Sequence, residues 1–206
     1  MNKTISEFLE QLGSDAPTPG GGGAAALTGA TAAGLVTMVA RLTTGREAFA
    51  THETRLQEII GQGDELRQEL LAAIEGDATA FETLMSSYRL PKTTPEEKAE
   101  RTSKIQEGLL LATESPLGIA HRCATLVELA AELVEIGNPL TVSDAGTAAV
   151  LAESALQGAL LQARINLKSL KNAEYVEKTR AEIAELTQHS QTARDNALHA
   201  TLAKLN

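Results

Sequence analysis

The chain has 206 residues, a formal net charge of −9 and only 2% aromatic residues, with no Trp, two Tyr and three Phe. The length suits one domain over residues 1–206, and the acidic balance argues against a nucleic-acid binder or a protein that rests on anionic membranes. With 43% apolar residues and so few aromatics, the core must be built from Leu, Ala, Ile and Val, a composition that suits closely packed helices better than sheets.

The pattern is helical almost throughout. Ile5, Phe8, Leu9 and Leu12 share one face of a short amphipathic helix over Thr4 to Leu12, which Gly13 ends. "SDAPTPGGGG" then reads as a loop. From about Gly22 to Leu42 the residues are small and apolar, with no charge before Arg41. A helix without a polar face belongs in the core.

A long helix follows from about Glu47 to Leu90, with a bend expected near "GQG" at Gly61 to Gly63. Leu66, Leu70, Ala73, Ile74, Asp77, Phe81, Leu84 and Tyr88 recur along it at helical spacing. Thr94, Pro95 and Glu97 form a capping box with proline at the first helical position. The helix that starts there meets Pro116, where a break or kink is expected, and resumes to Ile136 before "GNP" at Gly137 to Pro139. Ser143 or Asp144 caps a helix to about Leu170, and a last helix runs from Asn172 to about Lys204. The reading is an all-α bundle of five to six long helices.

The single Cys123 can form no internal disulfide. The N-terminus lacks the apolar centre of a signal peptide, and no apolar run reaches the length of a membrane span. Together these predict a cytoplasmic protein.

The chemistry-bearing residues are few. Gly20, Gly21, Gly22 and Gly23 have no GK[ST] after them and no strand before them, so they form neither a P-loop nor a dinucleotide fingerprint. They leave either tight helix packing or a helix N-terminus whose bare amides a ligand can reach. Asp144 sits near a helix start, as a cap or as a functional carboxylate. Asp77 lies inside an apolar stripe, where an acid is buried with a partner, lines a cavity or sits at the edge of the stripe. Arg164, Lys168 and Lys171 make a basic stripe, either solvated or ligand-binding. "YRLPK", Tyr88 to Lys92, places two cations and a phenol at a helix end. His121 and Cys123 are two residues apart and do not share a helix face, so they make a poor metal pair. No H-E-x-x-H, G-x-S-x-G or C-x-x-C is present.

Four segments taken together are more specific than any of these. "APTPGGGGAAALTGA", "GDATAFETLMSSYRLPKTTPEEKAERTSKIQEGLLLATESPLGIA", "GNPLTVSDAGTAAVL" and "GALLQARINLKSLKN" resemble the cyclodeaminase/cyclohydrolase family of folate enzymes, from about Ile5 to Lys178. The resemblance implies an all-α homodimer acting on a tetrahydrofolate derivative, with no metal and no other cofactor.

The implied reaction is hydrolysis of 5,10-methenyltetrahydrofolate to 10-formyltetrahydrofolate. The alternatives are cyclisation of formiminotetrahydrofolate with loss of ammonia, or a folate-binding helical dimer without activity. On this reading Asp144 is the carboxylate at the reacting carbon, with Asp77 as second candidate. Gly20 to Gly23 line the pterin or tail pocket, and Arg46, Arg164, Asn166 and Lys168 hold polar groups of the folate. The chain reads "GREAF" at Gly45 to Phe49 where family members carry a lysine-rich "GKKKY". It reads "QARIN" at Gln162 to Asn166 where they carry "NVRIN", and "KN" at Lys171 and Asn172 where they carry "KD".

Overall fold

The computed structural model describes residues 3–206. Among these are six α-helices, two short 3-10 segments and no strand. The helices are α1 (Ile5–Leu12), α2 (Gly21–Thr43), α3 (Glu53–Arg89), α4 (Pro95–Ile136), α5 (Val142–Leu167) and α6 (Ala173–Leu205). The all-α bundle expected from the helical periodicity is what the chain forms.

Helix α2 lies at the centre, packed against α3 on one side and α5 on the other, with α4 closing the layer behind them and α6 covering α4 and α5. Its alanines explain the position. Ala26, Ala32, Ala33, Ala40, Val36 and Val39 are fully enclosed, and side chains this small let neighbouring backbones approach. By length and composition α2 could also cross a membrane, which corrects the expectation that no apolar run is long enough. Its buried faces, packed on three other helices, mark it as a core helix.

Local signals set most of the ends. Thr4 with Glu7 and Thr94 with Glu97 both form reciprocal capping boxes, each leaving two fewer bare amides at a helix start. Asn172 caps α6 through its Oδ1, which accepts from Tyr175 N–H.

At four places the helices add to or differ from the sequence reading. The stretch expected as one helix from Glu47 begins as a 3-10 segment, Glu47–His52, and becomes α3 only at Glu53. Through "GQG" the α-helix continues unbroken. A Cβ on Gly63 would lie 2.5 Å from Thr37 Oγ1, so this glycine serves the contact with α2. Helix α4 likewise runs through Pro116, which is buried inside it. A proline removes one ladder hydrogen bond, and packing along a helix of 42 residues outweighs that loss. Finally, α5 starts at Val142 with Thr141 in the cap position and ends at Leu167, so Ser143 and Asp144 lie within its first turn.

Candidate functional site

The loop before α2 is held in place by α1. Phe8 is buried, and Gln11 Nε2 donates to the Thr18 carbonyl at 2.9 Å. The loop hands over to α2 at Gly20, whose backbone is extended and which offers no side-chain cap. A helix start in this state leaves its first amides without intrahelical partners.

Asp77 reaches that helix start from α3. A Cβ on Gly22 would lie 2.5 Å from Asp77 Cγ, with both carboxyl oxygens nearer still, and a Cβ on Gly21 would lie 2.5 Å from Gln162 Nε2. A side chain at either position would displace the Asp77 carboxyl of α3 or the Gln162 amide of α5 from the α2 backbone.

These groups enclose a cavity of about 360 Å³, within the size range of small-molecule pockets. Gly20, Gly21 and Gly22 form one wall with Pro17 and Thr18; Asp77, Phe81, Leu84 and Met85 of α3 form another; Ala112 of α4 and Gln162, Ile165 and Asn166 of α5 complete it. The lining is mostly apolar with one carboxylate and two primary amides. Asn166 is fixed by its Nδ2, which donates to Ala112 O at 2.6 Å and to Gln162 O at 3.1 Å.

Burial raises the Asp77 carboxyl above its ordinary value, and hydrogen bonding from Gly23 N–H and the Ser115 hydroxyl pulls it only partly back. A carboxylate held in an apolar cavity with a raised pKa is suited to accept and return a proton.

The other candidates divide between the two ends of the bundle. Arg164 and Lys168 are exposed at the C-terminal end of α5, the end that carries Gln162 and Asn166, but neither lines the cavity. Neither forms an ion pair among the described residues. Asp144 and Arg46 lie at the opposite end. Asp144 stands about five turns before Gln162 on α5, a separation of about 27 Å at 1.5 Å per residue. Arg46 is exposed just beyond the far end of α2. At that end Asn138, just before α5, is tied to the last turn of α2, its backbone N–H donating to Thr43 Oγ1 at 2.9 Å and its Nδ2 to Leu42 O at 3.3 Å. One chain thus brings Asp77, Gly20 to Gly23 and Asn166 together, and leaves Asp144 and Arg46 away from them.

Two further candidates have structural partners. Arg89 of "YRLPK" pairs with Glu82. His121 pairs with Glu182 at 2.6 Å, while Cys123 is enclosed in the core with its thiol pushed up to about 12 by burial. No group of three His, Cys, Asp or Glu side chains among the described residues could hold a metal ion.

Gln162 and Ser115 are the site residues that sequence reasoning did not assign. The i, i+4 spacing of Gln162 and Asn166 signals a shared face. Nothing in the sequence says that this face meets Asp77.

Residues 4–185 match the family described as formiminotransferase-cyclodeaminase. The chain belongs to that family. It is 39% identical over 205 residues to a methenyltetrahydrofolate cyclohydrolase of Methylorubrum extorquens, covering 100% of this chain and 99% of that protein. It is 33% identical over 192 residues to a formimidoyltransferase-cyclodeaminase of Rattus norvegicus, covering 93% of this chain but 36% of the rat protein, so it spans about a third of that relative's length. The crystal structure of a formiminotetrahydrofolate cyclodeaminase from Thermotoga maritima superposes with a TM-score of 0.82 at 25% identity, over 99% of this chain and 96% of that one. This chain and the Thermotoga protein therefore share the overall helical arrangement.

Proposed function

We propose that this chain hydrolyses 5,10-methenyltetrahydrofolate to 10-formyltetrahydrofolate. The observation that carries the reading is Asp77, a carboxylate of raised pKa facing the glycine loop inside a small-molecule-sized cavity. The chain's end-to-end similarity to a protein named for this activity supports it.

The one-carbon bridge of the substrate is an amidinium-like cation between N5 and N10, already electrophilic, so the reaction as written needs no metal or cofactor. Ionised Asp77 complements that charge. Water adds to the bridging carbon and gives one proton to Asp77. The resulting carbinolamine loses its hydroxyl proton as the C=O bond forms and the C–N5 bond breaks, and N5 takes the proton that Asp77 held. The balance is substrate cation plus water giving the formyl product plus one proton. The Gly20 to Gly23 stretch gives the pterin a surface without side chains. Arg164 and Lys168, at the cavity's end of α5 and without ion-pair partners among the described residues, suit the anionic tail of a folate. This reading gives the base role to Asp77 and gives Asp144 none within one chain.

The same reading includes a cytoplasmic homodimer. Helices α2 and α5 lie side by side and antiparallel, with Leu161 and Ile165 64% and 57% exposed at the cavity end and Met38 and Leu42 36% and 43% exposed at the other. An apolar two-helix face of this kind suits a second copy of the chain.

The test is the decay of methenyltetrahydrofolate absorbance with the wild type, Asp77→Asn and Asp144→Asn. The expected result is decay well above buffer for the wild type and Asp144→Asn, and near-buffer decay for Asp77→Asn. A wild type no faster than buffer overturns the reading. Ammonia release from formiminotetrahydrofolate would then identify a cyclodeaminase, and folate binding without turnover an inactive dimer.

A further inference from the structure

We propose that Gln162 is a second catalytic group in this cavity, its side-chain amide donating a hydrogen bond to the oxygen that water brings to the one-carbon unit. The inference rests on the cyclohydrolase reading above.

Four observations lead to it. First, Gln162 Nε2 lies against Gly21 while Asp77 lies against Gly22. Each group sits 2.5 Å or so from the Cβ position of one of two adjacent glycines, whose α-carbons are about 3.8 Å apart. The amide and the carboxylate are therefore no more than about 12 Å apart, near enough for both to face one bound substrate. Second, both line the same cavity. Third, the Gln162 side chain makes no hydrogen bond within the described chain, whereas both Asn166 amide hydrogens are committed to the Ala112 and Gln162 carbonyls. Asn166 can therefore only accept, and Gln162 is the helix-borne side chain on this wall with N–H groups to give. Fourth, Asn166 ties this turn of α5 to α4 at 2.6 Å, so the amide projects from a fixed backbone.

The chemistry calls for such a donor. When water adds to the cation, its proton passes to Asp77 and the oxygen becomes a carbinol oxygen. As the hydroxyl proton leaves, that oxygen carries negative charge until the C=O bond forms and C–N5 breaks. At this stage Asp77 holds the proton bound for N5, so its O–H is committed to that transfer. A neutral amide N–H held in an apolar cavity stabilises the oxygen's charge with no proton of its own to lose.

The experiment compares the wild type, Gln162→Met, Gln162→Glu and Gln162→Asn in steady-state hydrolysis of methenyltetrahydrofolate, with thermal melting of each. Met keeps the length without any polar atom, and Glu keeps the shape while removing the N–H donors at neutral pH. The expected result is a fall in kcat of about 100-fold for Met and Glu, with KM within about 3-fold and melting temperature unchanged, and a partial recovery of kcat for Asn. A Gln162→Met enzyme within about 2-fold of the wild-type kcat overturns the proposal while leaving the cyclohydrolase reading intact, as does a loss confined to KM. A wild type without activity overturns both.

Discussion

The Asp77 carboxyl occupies the space that a side chain on Gly22 would need: a Cβ there would lie 2.5 Å from Asp77 Cγ. The two residues are therefore mutually dependent, and a methyl group is enough to separate them. Gly22→Ala should move the carboxyl out of register and lower kcat by about 10- to 100-fold. Single-turnover kinetics would locate the loss in the chemical step. An alanine variant with wild-type turnover would mean that Asp77 does not act from this position.

Replacing the acid itself tests its energetic role. Burial raises the folded-state pKa of Asp77 above its ordinary 3.8, so folding disfavours the ionised form. Below the unfolded pKa both states are protonated and nothing is lost. As pH rises from there through the folded pKa, the cost of holding a buried charge appears and then stays. Asp77→Asn should thus melt above the wild type at pH 7, with the difference shrinking as pH falls into the carboxylate range, while its turnover is lost. Paired thermal melts at pH 7 and at acid pH give the answer, and a variant that melts lower at pH 7 would contradict it.

Hydrogen bonding from Ser115 lowers the Asp77 pKa, opposing burial. Removing it in Ser115→Ala should raise that pKa further. The acid limb of the kcat/KM profile then shifts to higher pH, because the base must be ionised to accept a proton. A profile that superposes on the wild type would uncouple Ser115 from the reaction.

The two glycines of "GQG" should respond in opposite directions. A Cβ on Gly61 meets nothing within 4 Å, whereas one on Gly63 meets Thr37 Oγ1 at 2.5 Å. Gly61→Ala should stabilise the fold by about 0.5–1 kcal/mol. Gly63→Ala should destabilise it by about 1–3 kcal/mol by forcing α2 and α3 apart. Urea denaturation of the pair is the check.

Leu161 is 64% exposed on the apolar α2–α5 face. If that face joins two copies, Leu161→Glu should convert a dimer to a monomer in analytical ultracentrifugation, since an unpaired charge at such an interface is costly. A wild type that sediments as a monomer at micromolar concentration would remove the dimer from the reading.

The sequence by itself determined the class of the fold, because helical periodicity and capping are local. Thr4–Glu7, Thr94–Glu97 and Asn172 act within one turn, and each starts a helix within one residue of where the sequence reading placed it. It also singled out Asp77, as an acid in an apolar stripe, and the glycines, as a cost that needed a reason. The expected break at Pro116 did not occur, because packing along α4 outweighs the local cost of the proline, and α3 runs unbroken through "GQG". Only the tertiary structure decided which candidates meet. Asp77, Gly22 and Gln162 come from three different helices, and the packing of α2 between α3 and α5 joins them. Asp144 and Gln162 share one helix, and the rigid rise of that helix keeps them about 27 Å apart. Proximity between helices depends on the summed packing of the whole core, and no short stretch of the chain encodes it.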